Sequence, residues 1–192
     1  MQILVISDTH GSIFSAYEIY NKLCQTNRPD LVVHCGDFYM DAIELQNKIT
    51  SPVVWVKGNC DGAYGDNNYK IVETEYGNIY VSHGHTENIS NGMETLYNRA
   101  IENHCVAAFF GHTHRAVSTE CNGIHLVNPG SLTKPRDGSS GTFAIVTTGS
   151  EYFHGQIYNY NDFISCGLEA KSKRKKVVGG KLKDIFNYSD RF

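Results

Sequence analysis

Residues 2–10, Gln2-Ile3-Leu4-Val5-Ile6-Ser7-Asp8-Thr9-His10, decide how this chain is read. A short, unbroken apolar run that stops at polar residues is the pattern of a strand buried on both faces. The run recurs. Helical spacing over 13–26, with Ile13, Phe14, Tyr17, Tyr20 and Cys24 on a shared face and Ser12 as the expected N-cap, leads to a second apolar run at 31–35. A helical stretch at 40–48 then leads to a third run at 52–56. Strand–helix–strand alternation of this kind implies a parallel sheet with right-handed crossovers.

Beyond residue 60 the pattern changes to paired strands. Segments 69–76 and 78–82 meet at Tyr76-Gly77-Asn78, segments 115–121 and 124–127 at Asn122-Gly123, and segments 142–148 and 151–158 at Gly149-Ser150. Each junction carries hairpin residues. A helix over 93–104 and a strand over 106–110 lie among them. A second sheet packed on the first is the expected outcome. No linker divides the chain, so a single domain over 1–165 is expected, followed by a basic tail over 166–192.

Every polar group of interest follows one of these runs. The groups are Asp8-Thr9-His10, Gly36-Asp37, Gly58-Asn59-Cys60-Asp61, Ser82-His83-Gly84-His85 and Gly111-His112-Thr113-His114. Ligand sites of open α/β sheets lie beyond the carboxyl ends of the strands. Asp8-x-His10 and His112-x-His114 place two donors on the same side of an extended loop. The glycines at 36, 58, 84 and 111 permit sharp turns or close backbone approach. Carboxylate, imidazole and amide oxygen without thiolate suit Mn²⁺, Fe²⁺, Zn²⁺ or Ni²⁺ at a working site rather than a structural zinc.

Taken one at a time, Asp8 and Asp37 read as caps or turn residues, and only the five-part set changes that reading. His34 and His125 lie inside strand segments and read as core or surface histidines, and His104 and His154 carry no motif. Asn128-Pro129-Gly130-Ser131 reads as a tight turn ahead of a substrate contact.

Composition agrees. The 192 residues are 41% hydrophobic and 19% charged, as in ordinary globular proteins. The net charge of −3 hides a segment, 171–192, with eight Lys or Arg and two acids, a net of +6 against −9 elsewhere. An acidic body argues against a nucleic-acid partner, and the basic segment reads as a solvated terminus. No apolar run is long enough for a membrane span, and the first residues lack a signal-peptide pattern, so a cytoplasmic protein is expected. The six scattered cysteines form no CxxC pair and read as reduced.

The five motifs in this order resemble the calcineurin-like metallophosphoesterases. The short chain and its Gly-Asn-Cys-Asp form resemble their small bacterial and archaeal phosphodiesterase branch. The resemblance covers about residues 1–160. It implies a four-layer αββα sandwich, two mixed sheets flanked by helices, and two divalent cations per chain, with Mn²⁺ first. By position, Asp8, His10 and His114 would hold one cation and Asn59, His83 and His112 the other, with Asp37 bridging. It further implies hydrolysis of a small phosphate ester by a metal-bridging hydroxide, with cations roughly 3.5–4 Å apart.

Cys60 departs from the family pattern, which commonly has His there. A thiol is a poor general acid, so esters with good leaving groups are favoured and Asp61 loses its usual partner. His85 and Asp61 are the remaining catalytic candidates. The competing reading is a protein-binding scaffold of the same fold, as in the retromer subunit, against which all seven ligand positions are filled. Substrate identity and homo-oligomer formation stay open.

Overall fold

The computed structural model describes residues 1–62 and 68–166, and the expected basic tail beyond 166 lies outside the described residues. Strands β1 (Gln2–Ile6), β2 (Leu31–His34) and β3 (Val53–Trp55) run parallel. They are connected through helices α1 (Phe14–Cys24) and α2 (Tyr39–Lys48). Strand β9 (Thr142–Gly149) adds antiparallel to β1, and β10 (Tyr152–Asn159) adds antiparallel to β9, giving the order β10-β9-β1-β2-β3.

The second sheet has the order β4-β5-β6-β8-β7. Its strands are β4 (Tyr69–Glu73), β5 (Asn78–Ser82), β6 (Cys105–Phe109), β7 (Ala116–Cys121) and β8 (Ile124–Pro129). Parallel β5-β6-β8 form its centre, with β4 and β7 antiparallel at the edges. The turn between β7 and β8 has Asn122 at φ 46° and Gly123 at φ 82°. Two successive positive φ values are the type I′ geometry that an Asn-Gly pair selects.

Strand periodicity builds the layers. Ile3 and Val5 face the second sheet and pack with Val33, Val81, Phe109 and Val127. Leu4 and Ile6 face outward onto Ala16, Ile19 and Leu23 of α1 and Leu45 of α2. On the far side, Tyr80, Ala108 and Leu126 pack under Leu96 and Ala100 of α3 (Glu94–Glu102). The result is the expected sandwich of two mixed five-stranded sheets between helical layers.

Three local expectations need correction. The buried stripe of α1 is Ala16, Ile19, Tyr20 and Leu23, whereas Phe14, Tyr17 and Cys24 face outward. Small Ala16 lets the helix sit close on β1, and this i, i+3, i+4, i+7 stripe outweighs the aromatic residues. Ser12 is not the cap; Ile13 holds that place and no side chain caps the helix. In β6 one extra residue opposes the Asn78–Ile79 step, so Cys105 and Ala107, two apart, face different cores. The strand runs over Cys105–Phe109 rather than 106–110, with a bulge at its first step. A fourth helix, α4 (Tyr160–Ser165), has no counterpart in the expected pattern; Asn159 caps it through its side chain.

Candidate metal centre

The parallel strands of both sheets end on one side of the sandwich, and all seven expected ligands lie in the turns that follow them. Five of the seven sit in left-handed backbone: Asp8 (φ 54°), His10 (46°), Asp37 (56°), His112 (69°) and His114 (57°). Such conformations cost a non-glycine residue roughly 1–2 kcal/mol each. Strain concentrated at so few positions marks a functional site.

The donors converge in two clusters. Asp8, His10, Asp37 and His114 each offer an atom lying within 4.8 Å of the others. His114 Nε2 is 3.2 Å from Asp8 Oδ1 and 3.3 Å from His10 Nε2. In the second cluster, Asn59 Oδ1 lies 3.2 Å from His83 Nε2 and 3.0 Å from His112 Nδ1. The clusters meet at Asp37, whose Oδ1 is 3.3 Å from His83 Nε2.

Backbone carbonyls set the ring orientations. A carbonyl only accepts, so His83 Nδ1 donates to Cys35 O at 2.8 Å and His114 Nδ1 to Lys134 O at 2.6 Å. With Nδ1 donating to a carbonyl, each ring turns its Nε2 toward the carboxylates, the orientation usual for a metal ligand. Asp8 Oδ1 is buried without a hydrogen-bond partner. Burial opposes the charge on Asp8, but His114, His83 and the Ser7 hydroxyl outweigh it and hold the carboxyl below its ordinary range. Burial pulls His10, His112 and His85 down, which leaves their nitrogen lone pairs available near neutrality. Contact with Asp8 pushes His114 up, since the buried carboxylate favours a positive neighbour. Converging carboxylate, amide and imidazole donors of this kind fit divalent cations.

The turns are braced from below. Gly36 N–H donates to His34 Nδ1, so His34 Nε2–H donates to Thr9 Oγ1 at 2.9 Å. The Thr9 hydroxyl in turn donates to Asp41 Oδ2 at 2.6 Å, and Gly11 N–H reaches the same oxygen. Burial lowers His34 to about 4, so this network holds a neutral imidazole. Asp61 accepts from Phe38 N–H and Tyr39 N–H with one oxygen and from Gly58 N–H with the other. It thus ties the Gly58-Asn59 turn to the first turn of α2.

On the second sheet, Asn128 Nδ2 donates to Gly111 O and Thr113 Oγ1 while its Oδ1 accepts from Gly130 N–H. The hydroxyls of Ser131 and Thr133 donate to Asp8 O. Backbone approach is close at two glycines: a Cβ on Gly58 would stand 2.1 Å from Asp37 Oδ1, and one on Gly111 2.0 Å from Ser7 Oγ. Neither turn accepts a side chain.

Sequence reasoning missed the bracing residues. Asn128 and Ser131 form more than a tight turn, because they clamp the His112 and Asp8 turns. His34 is a core histidine, as expected, but it also supports Thr9. The signal for both was burial of polar residues inside apolar runs. His85 stands beside the second cluster, its ring centroid 5.4 Å from that of His83 and 6.3 Å from that of His112. Cys60 is exposed, and desolvation with the nearby Asp37 and Asp61 carboxylates pushes its thiol up to about 11. That leaves no thiolate to act as a nucleophile. His125 stacks on Phe153, while His104 and His154 are exposed.

Known proteins agree with this geometry. A sequence model of the calcineurin-like phosphoesterase superfamily domain matches residues 1–151. The chain is 33% identical over 147 residues to the probable metallophosphoesterase YsnB of Bacillus subtilis, covering 77% of this chain and 84% of that protein. It is 26% identical to the phosphodiesterase MJ0936 of Methanocaldococcus jannaschii, covering 68% and 83%. The crystal structure of a conserved Streptococcus pneumoniae protein, described as a predicted phosphoesterase, superposes with a TM-score of 0.70 at 26% identity, covering 83% of this chain and 90% of that one. With the matched region holding every residue of both donor clusters, this chain belongs to the calcineurin-like phosphoesterase superfamily, a family of metal-dependent hydrolases.

Proposed function

We propose that this protein hydrolyses a small phosphate ester, a diester in preference to a monoester, with two divalent cations, Mn²⁺ foremost. Asp8, His10 and His114 would hold one cation and Asn59, His83 and His112 the other, with Asp37 shared. The observation that carries this reading is the meeting of two donor clusters at Asp37 Oδ1. Bound there, the cations would supply Lewis acidity toward phosphoryl oxygens and lower the pKa of water.

The chain's own residues do the rest. The bracing network holds the donors before substrate arrives, which limits reorganisation during the reaction. Protonated Cys60 is a weak acid toward a leaving alkoxide, so esters whose leaving group departs without a proton are the favoured class. His85, beside the second cluster, would touch substrate. Asp61, occupied by three backbone N–H groups, is a positioning residue and not a proton carrier.

The test is metal analysis together with bis-p-nitrophenyl phosphate hydrolysis in Mn²⁺, with Asp37→Asn as control. Two cations per chain and turnover lost in the variant are expected. A protein that neither binds metal nor turns over would instead be the scaffold. For His85→Ala, unchanged kcat on good and poor leaving groups would remove His85 from the reaction.

A further inference from the structure

Local helix chemistry does not call for Phe38 at its position. It occupies the N-cap position of α2, where Ser, Asp or Asn would satisfy the helix, and makes no side-chain cap. Its backbone is left-handed at φ 67°, a conformation disfavoured for a bulky residue. Its ring remains 38% exposed, so burial does not repay that strain.

Its surroundings point to a ligand. Phe38 directly follows Asp37, and its ring meets the His10 imidazole edge-on, with centroids 5.2 Å apart and planes at 63°. The ring is therefore fixed at the rim of the first donor cluster with part of its surface open. The backbone is pinned as well: Phe38 N–H donates to Asp61 at 2.7 Å and Phe38 O accepts from Asp41 N–H at 2.9 Å. A rigid exposed ring loses little entropy when something stacks on it. Among the described residues, Phe14, Tyr17 and Met40 of α1 and α2 are also exposed large apolar side chains.

We propose that Phe38 is a stacking platform that selects phosphate esters whose organic group is aromatic, an aryl or nucleobase ring lying against it while the phosphoryl group sits at the donor clusters. This deepens the hydrolase reading and rests on it. The occupant follows from position: a ring attached to a phosphate held at Asp37 comes within reach of the side chain of the next residue. Where the ring is the leaving group itself, as in an aryl ester, the aryloxide also departs without the general acid that Cys60 does not provide.

The experiment compares binding of phenylphosphonate and methylphosphonate to the Mn²⁺-loaded protein by calorimetry, for wild type, Phe38→Ala and Phe38→Leu. Wild type is expected to prefer the phenyl ligand about tenfold beyond the methyl one. Both variants are expected to lose most of that preference, Phe38→Leu included, since it keeps apolar bulk without a π face. Equal weakening toward both phosphonates would overturn the proposal and make Phe38 a packing partner of His10. Wild-type binding of both phosphonates without preference would overturn it too and leave the hydrolase reading intact. Failure of wild type to bind either phosphonate would overturn both.

Discussion

The two sheets contribute to the site in different ways. The first supplies Asp8, Asp37 and Asn59, all three oxygen donors, with His10 its single imidazole. The second supplies only imidazoles: His83, His112 and His114. Their supports differ in the same way. First-sheet turns hang on buried side chains, the Thr9–His34–Asp41 network and Asp61. On the second sheet, His83 and His114 hang on backbone carbonyls, with Asn128 and Ser131 clamping across. The difference teaches that the centre belongs to neither sheet. Oxygen donors on one side and imidazole nitrogens on the other become a cation site only when the core between the sheets brings them face to face.

Joining the sheets through Asp37 predicts the largest effect. Asp37→Ala should lower hydrolysis by about three orders of magnitude or more and reduce metal stoichiometry at both clusters. If elemental analysis still finds two tightly held cations, Asp37 does not join the halves.

Next comes Asn128, the clamp of the second sheet. Asn128→Ala leaves Gly111 O and Gly130 N–H without their buried partner and should cost about 2–3 kcal/mol in denaturant unfolding. Metal affinity should fall about 10–100-fold, as for other residues that support a ligand. A stability loss with metal affinity unchanged would show that the clamp serves folding alone.

The first-sheet network predicts a pH dependence through His34. Buried His34 is lowered to about 4 from 6.5. Between those values the unfolded chain takes up the proton and the folded chain does not. This stability is therefore complete above pH 6.5 and shrinks as pH falls toward 4, by roughly 2 kcal/mol at pH 5. Unfolding curves at pH 7 and pH 5 should show that loss, and His34→Gln should flatten it. An equal slope in the variant would place the acid sensitivity elsewhere.

The smallest effect belongs to Asp61→Asn. The amide keeps one oxygen for the α2 turn but loses the acceptor facing Gly58 N–H, a cost of about 1 kcal/mol. Hydrolysis should drop only modestly; a loss matching that of Asp37→Ala would make Asp61 a direct participant.

Much of this was legible from the chain. Each donor group follows an apolar run, and runs of that kind report strands whatever their partners. Asn122-Gly123 marked its hairpin because its turn chemistry is local. The failures share a cause. Which face of α1 is buried depends on how closely Ala16 lets it approach β1. The bulge in β6 depends on pairing with β5. The support of Asp8 by Ser131 spans 123 residues. No short window contains both partners of such a contact.

The order of residues by itself determined the donor types, their sequence along the chain and their place after strands, because hydrophobic periodicity and turn residues act over a few positions. Only the tertiary structure decided that Asp37 lies between two clusters, that His83 and His114 aim Nε2 inward, and that Phe38 stays exposed at the rim. Those facts arise where two sheets meet across a shared core, and distances across that boundary are set by packing rather than by spacing in the chain.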